Sequence, residues 1–280
     1  MSRLSGDLVR HKLATRVIGQ NVVYTEQTGS TNTDLKALAQ QGAPEGMLYL
    51  TNKQVAGRGR LEGRTWFAPA GSSLLLSLLF RPAEVIAPHQ AQQLTMICAL
   101  AMSNAIERQT GLRPVLKWPN DLLWQDGKKL AGILTELEVE EERLNWVVVG
   151  IGLNVNLDFS KYTTDETLTG GSGNGGPPLS HTATSLSMIL GRDTSADRLP
   201  ILQRFLENLE RRYEALQQGA RFHQEWSGRL AGIGQRVTVV GPWKSKKGIM
   251  VGVDENGALL LRQKDGSIET ILAGDVTIHW

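Results

Sequence analysis

Gln54-Val55-Ala56-Gly57-Arg58-Gly59-Arg60-Leu61-Glu62-Gly63-Arg64-Thr65-Trp66 is too basic and too rich in glycine to be a core element. Its glycines let the backbone approach a bound group, and its arginines supply planar forks that fit a carboxylate or a phosphate. On either side the chain turns β-like: Met47 to Thr51 reads as a strand feeding the segment, and Ser73 to Phe80 as a strand leaving it. A Gly/Arg loop held at both ends by a sheet suggests an anion cradle; the bland alternative is a solvated surface loop.

Composition limits the rest. A chain of 280 residues, 41% hydrophobic and 21% charged, is globular and long enough for one large domain, or a large and a small one. Its net charge of +2, from 30 basic and 28 acidic residues, argues against a surface built wholly to bind nucleic acid. Cys98 is the single cysteine, so the chain forms no internal disulfide and no cysteine-based zinc cluster, which fits a reducing, cytoplasmic compartment. Met1 to Lys12 holds no apolar signal-peptide core, and no apolar run approaches the roughly 20 residues of a membrane helix. No membrane association is expected.

Working outward from the loop, Val22 to Tyr24 is a short β-run leading to Thr28-Gly29-Ser30-Thr31-Asn32, whose side chains suit the N-terminus of a helix over about Thr33 to Gln41. Ala87 to Thr110 carries apolar residues at helical spacing, the pattern of a helix packed on a sheet. Val115 to Lys117 is strand-like until Pro119 stops it, which puts Asn120 and Asp121 at a turn. Asp126-Gly127 between Leu122–Trp124 and Lys129–Glu138 predicts a hairpin, and Trp146 to Gly150 a further strand. Lys161 to Ser180 is a Gly/Ser/Thr-rich loop, followed by helices over Ala183 to Leu190 and Ala196 to Gly219. From about Gly232 the chain becomes a series of short β-runs with turns at Asn256-Gly257 and Asp265-Gly266, a small β-barrel or sandwich. The expected units are therefore residues 1–230 and 231–280.

Two glycine motifs are lookalikes. Gly150-Ile151-Gly152 lacks the third glycine and the following helix of a dinucleotide fingerprint, and Gly57 to Gly63 lacks the Gly-Lys-Ser/Thr ending of a P-loop.

Five pieces occur together in one order: Ser30-Thr31-Asn32; the Gln54 to Trp66 loop; Lys117-Trp118-Pro119-Asn120-Asp121; Lys129-Leu130-Ala131-Gly132-Ile133-Leu134-Thr135-Glu136; and Gly150-Ile151-Gly152-Leu153-Asn154-Val155-Asn156. With them the chain resembles the biotin protein ligases from about residue 20 to its C-terminus. The resemblance implies a mixed-sheet α/β (α+β) catalytic domain followed by an SH3-like β-barrel. It also implies the chemistry: biotin and ATP give biotinyl-5′-AMP and pyrophosphate, and biotin then passes to a lysine of a biotin carboxyl carrier protein. Some members carry an N-terminal winged helix for operator DNA; the roughly 20 residues before the first matching strand are fewer than such a module needs, so a ligase that binds no DNA, monomeric or homodimeric, is expected.

Joining a carboxylate to a polyanion requires fixed positive charge where charge develops, which singles out Arg58, Arg60 and Lys129 from chemistry alone. The resemblance puts Arg60 and Lys129 at the biotin carboxylate and α-phosphate as the catalytic pair. It assigns Ser30, Thr31, Asn32, Gln54 and Gly132 to biotin. Gly57, Arg58, Gly59, Arg60, Arg64, Trp66, Asn120 and Asn154 go to ATP and the adenylate, with Trp66 beside adenine. Asp121 would hold Mg²⁺, a hard ion that takes oxygen ligands. Where the family pattern has one residue, Leu61-Glu62 stands here, which lengthens the loop by one. The loop is expected to be mobile when empty and ordered around the adenylate. The alternatives are a lipoate ligase of related fold and a nucleic-acid-binding or adaptor protein.

Overall fold

The computed structural model describes residues 4–61, 63–82, 85–162, 178–192, 198–241 and 244–278. Its larger sheet has seven strands: β1 (Val22–Thr25), β2 (Leu48–Thr51), β3 (Ser73–Phe80), β4 (Val115–Lys117), β5 (Asp121–Leu123), β6 (Lys129–Glu140) and β7 (Arg143–Asn154). They run in the order β1-β2-β3-β7-β6-β5-β4. Only β1 and β2 are parallel neighbours, so the sheet is mixed. The helices are α1 (Gly6–Arg10), α2 (Thr31–Gln40), α3 (Gln92–Thr110), α4 (Leu179–Thr182), α5 (Leu186–Leu190), α6 (Arg198–Gln217) and α7 (His223–Ser227).

The two faces of the sheet differ, and the period of two in β7 records the difference. Val147, Val149, Ile151 and Leu153 point into the main core, which they share with Leu74, Leu76 and Leu78 of β3 and with α3 and α6. α3 is buried from Gln93 to Ser103, as befits a helix enclosed on several sides. On the opposite face Trp146 and Val148 pack with Leu35 and Ala39 of α2. Beyond them the same face continues as Gly150, Gly152 and Asn154, where large side chains stop. That change of residue size opens the space for a site.

The C-terminal strands β8 (Arg236–Val240), β9 (Ser245–Val253), β10 (Leu259–Arg262), β11 (Ile268–Ile271) and β12 (Asp275–Thr277) form a five-stranded antiparallel sheet ordered β11-β10-β9-β8-β12. The expected small β-unit is present; among the described residues β11 and β12 end the order, and no ladder joins them to close a barrel. Its β9–β10 turn is held to the larger unit: Trp118 Nε1 donates to the Gly257 carbonyl at 2.9 Å, and Gln90 and Gln93 donate to Asn256 Oδ1 at 3.2 and 3.3 Å.

Several boundaries differ from the sequence expectation for physical reasons. α2 begins at Thr31, because Ser30 is already the extended N-cap residue. Asp121 lies in β5 rather than in the turn, where it pairs with Lys117 and Gly132. Ala183 to Leu190 is helical only from Leu186: Ala183 makes a β-bridge to Lys129, Thr184 N–H donates to the Lys129 carbonyl at 2.9 Å, and Ser185 caps the helix. Glu62 and most of the loop expected over Lys161 to Ser180 lie outside the described residues.

Candidate active site

Two cavities meet over β6 and β7. The smaller lies between the start of α2, the Gly/Arg loop and the glycine floor. The larger, an open cleft, runs from the loop past β5 and the start of β6 to β12 of the C-terminal sheet. Gly59, Arg60, Trp66, Asn120 and Lys129 line both, so they mark the junction.

The small cavity has a polar wall. Ser30 holds the N-cap position of α2 but makes no side-chain capping bond, which leaves its buried hydroxyl for another partner. Gln54 Oε1 accepts from the Thr31 backbone N–H at 2.8 Å, with Thr31 Oγ1 3.0 Å away. Asn32 Nδ2 donates to Glu136 Oε2 at 2.8 Å and to the Leu134 carbonyl at 3.1 Å. Arg58 donates to Thr33 Oγ1 at 3.0 Å and stands 3.7 Å from Glu136. Burial pushes the Glu136 carboxyl up, but hydrogen bonds from Lys36 and Asn32 and the nearby Lys36 and Arg58 charges outweigh it and hold the group below the usual carboxylate range.

The floor is flat because glycine is required there. Gly132 and Gly152 are register partners on β6 and β7. A Cβ at Gly152 would stand 2.4 Å from Trp66 Cε2, and one at Gly132 3.0 Å from Trp66 Cζ3, so the indole lies directly on the backbone. A Cβ at Gly150 would meet Asn32 Oδ1 at 2.1 Å. The Trp66 Nε1–H is buried without a hydrogen-bond partner.

At the junction Lys129 Nζ lies 2.7 Å from Asp121 Oδ1 and 5.7 Å from the centre of the Trp66 ring. Arg60 reaches the C-terminal sheet, where it donates to the Gly274 carbonyl and pairs with Asp275, both at 3.0 Å. Asn120 is tied to β6 by its Nδ2, which donates to the Ile133 carbonyl at 2.5 Å. Asn154 Nδ2 donates to the Thr184 carbonyl at 3.0 Å, while its Oδ1 is buried and has no hydrogen-bond partner. Positive charge, buried amides and the carboxylates of Asp121 and Asp275 thus converge where a chamber with a polar wall opens into a larger cleft. Such a site can bring a carboxylate and a phosphate together.

The loop itself is a tight hairpin: Gly59 N–H donates to the Arg64 carbonyl at 2.7 Å and Trp66 N–H to the Gly57 carbonyl at 2.9 Å. The structure therefore gathers Ser30, Thr31, Asn32, Gln54, Arg58 and Gly132 at the small cavity, and Arg64, Asp121 and Asn154 at the large one. Gly57 lines neither and faces a third hollow behind the loop. Trp66 is not confined to one side but stands between the cavities. Sequence reasoning missed Ser77, Glu136 and Asp275; the alternation of glycine with apolar residues in β7 is the signal that marks the floor.

The mixed sheet, the glycine floor and the basic junction define an α/β ligase. The chain belongs to the biotin/lipoate A/B protein ligase family, whose family model matches residues 24–154, while that of the biotin protein ligase C terminal domain matches residues 232–278. It is 34% identical over 281 residues to the bifunctional ligase/repressor BirA of Bacillus spizizenii, covering 99% of this chain and 79% of that one. To the biotin–[acetyl-CoA-carboxylase] ligase of Mycobacterium tuberculosis it is 34% identical over 286 residues, covering 98% and 97%. The solved biotin protein ligase from Aquifex aeolicus in complex with biotin and ATP is similar at a TM-score of 0.68 and 29% identity, covering 92% of this chain and 98% of that one.

Proposed function

We propose that this chain is an ATP-dependent biotin protein ligase that forms biotinyl-5′-AMP and transfers biotin to a lysine of a carrier protein. The observation that carries the reading is the junction: Lys129 and Arg60 line both cavities, the position from which one pair of cations serves an acid on one side and a triphosphate on the other. Biotin occupies the small cavity, its ureido ring toward Ser30, Thr31 and Gln54 and its carboxylate toward the junction. A carboxylate oxygen attacks the α-phosphorus as the bond to the β-phosphate breaks, and pyrophosphate leaves. The carrier amine, having lost a proton, then attacks the acyl carbon, and the C–O bond to AMP breaks.

Arg60 and Lys129 hold the charge that develops on the phosphoryl oxygens, and Trp66, Asn120 and Asn154 fix the nucleotide. The Asp121 carboxylate and the unpartnered Asn154 Oδ1 are hard oxygen donors, and Mg²⁺ is commonly held by one or two carboxylates together with waters and phosphates. Bound there, the ion would neutralise triphosphate charge. Residues 1–230 act as the catalytic unit and 231–280 as the C-terminal unit. The relatives' names support acetyl-CoA carboxylase as the source of the acceptor. The single buried cysteine fits work in the cytoplasm.

The test is ATP–pyrophosphate exchange with biotin and lipoate in competition. Biotin-dependent exchange is expected, because a dithiolane would leave the polar wall unpaired. Preference for lipoate overturns the proposal.

A further inference from the structure

The outward face of the C-terminal sheet continues one wall of the large cleft. On β12 the buried Val276 separates Asp275 from Thr277, so these two share the opposite face, and both line the cleft. Register carries that face across the sheet. Asp275 stands opposite Val240 and Thr277 opposite Thr238 on β8, and Thr238 in turn stands opposite Lys247 on β9. The buried Val237, Val239 and Met250 alternate with these residues and point the other way, as the period of two requires.

Three cations gather on this face. Ile249 of β9 has Arg236 of β8 and Arg262 of β10 as its register partners on either side, and Lys247 lies two residues along, diagonal to both. Diagonal neighbours in a sheet are about 7–8 Å apart, so each cation feels the others. All three are exposed, and among the described residues none of their side chains has a hydrogen bond or an ion pair. On the inward side of the same strand, by contrast, Lys246 is paired with Glu269 of β11. Like charges on neighbouring positions repel, so the sheet itself gains nothing from the outward cluster. Exposed Val240 and Ile268 add apolar surface to the same face.

The position of the cluster says which partner it fits. Lys247 is two strands from β12 and Arg262 three, roughly 10 and 15 Å at ordinary strand spacing. An acceptor lysine enters the cleft on a four-carbon stem, so the domain that carries it rests on the cleft's rim. A stable protein contact covers about 800 Å² on each partner, a patch roughly 30 Å across, which takes in all three cations.

We propose that the outward face of the C-terminal sheet, through Arg236, Lys247 and Arg262, docks the acceptor domain by acidic side chains on the surface around its lysine. The inference rests on the proposal that this chain transfers biotin to a carrier lysine. Charges at the rim of a contact act on encounter more than on chemistry, so this cluster sets how fast the acceptor arrives and how strongly salt slows it.

The test uses the full chain and, as acceptor, the biotin carboxyl carrier domain of acetyl-CoA carboxylase from the same organism. Transfer is read as kcat/KM for the acceptor at about 50 and about 300 mM salt, and adenylation as pyrophosphate exchange without acceptor. The wild type is compared with the charge reversal R236E/K247E/R262E. At the lower salt the reversal is expected to cut acceptor kcat/KM about tenfold or more while exchange stays within about twofold, which also shows that the variant is folded. Wild-type kcat/KM should fall as salt rises, and the variant's should not. R236Q/K247Q/R262Q carries the same test if the reversal does not fold, with about a threefold loss expected. Acceptor kcat/KM within about twofold of wild type in the variant, or a wild-type value insensitive to salt, overturns the inference. Binding of a labelled single-stranded oligonucleotide at the higher salt, lost in the variant, would give the face to nucleic acid and overturn it as well. A wild type without biotin-dependent exchange instead defeats the assignment of the site.

Discussion

Replacing Lys129 by alanine removes the ammonium at the junction and also releases Asp121. Two consequences can be estimated separately. Loss of one donor aimed at developing phosphoryl charge lowers kcat by about 10²–10³, or roughly 3–4 kcal/mol. Asp121 lies 2.7 Å from the lost ammonium and its side chain is 13% exposed, so its carboxylate is left facing the triphosphate without a counter-charge. Because the Lys129 side chain is 34% exposed, solvent screening reduces that second effect to about 1 kcal/mol, roughly fivefold. K129A should therefore lower biotin-dependent pyrophosphate exchange by about three orders of magnitude, while biotin affinity by titration calorimetry changes less than about threefold. Adding D121N to K129A should recover about fivefold if Asp121 only balances Lys129, and should lower the rate further if Asp121 also holds Mg²⁺. Exchange within about threefold of wild type in K129A would refute the electrostatic role given to the junction.

Three further outcomes follow from particular contacts. Gly152→Ala places a Cβ 2.4 Å from Trp66, and overpacking of about 1–3 kcal/mol should lower adenylation some 5–100-fold; Gly29→Ala, where a Cβ meets nothing within 4 Å, should be silent in the same assay. Asp275→Asn removes the carboxylate that holds Arg60, so limited trypsinolysis at Arg58, Arg60 or Arg64 should accelerate in the empty protein and be suppressed by biotin with ATP; equal cleavage in all states would contradict the latch. Cys98 is 0% exposed and burial pushes its thiol well up, so iodoacetamide at pH 8 should leave it unmodified until the protein is denatured, as peptide mass mapping will read.

What the sequence made legible is local. The strands on either side of the loop, the Asp126-Gly127 hairpin and the apolar stripe of α6 all follow from period and turn chemistry within a few residues. So does the glycine floor, since Gly150, Gly152 and Asn154 replace Trp146 and Val148 on one face of a single strand. The five-residue helices α1 and α7 escaped because so short a segment shows little helical periodicity. The partners of the site escaped for a different reason. Ser77 reaches Thr31 across 46 residues, and Arg60 finds Gly274 across 214. Such contacts are made by sheet order and by the docking of the C-terminal strands, and no local pattern encodes them. Glu136 closes one of the five ordered sequence pieces, but nothing local shows that its carboxylate accepts from a buried amide on a neighbouring helix.

If the small cavity supplies biotin and the large cleft ATP to one junction, mass spectrometry after incubation with biotin, ATP and Mg²⁺ but no acceptor will read the product of that meeting. Biotinyl-5′-AMP and pyrophosphate are expected, abolished by Lys129→Ala and undiminished by equimolar lipoate. Recovery of unreacted biotin and ATP, or of a lipoyl adenylate in the competition, would contradict it.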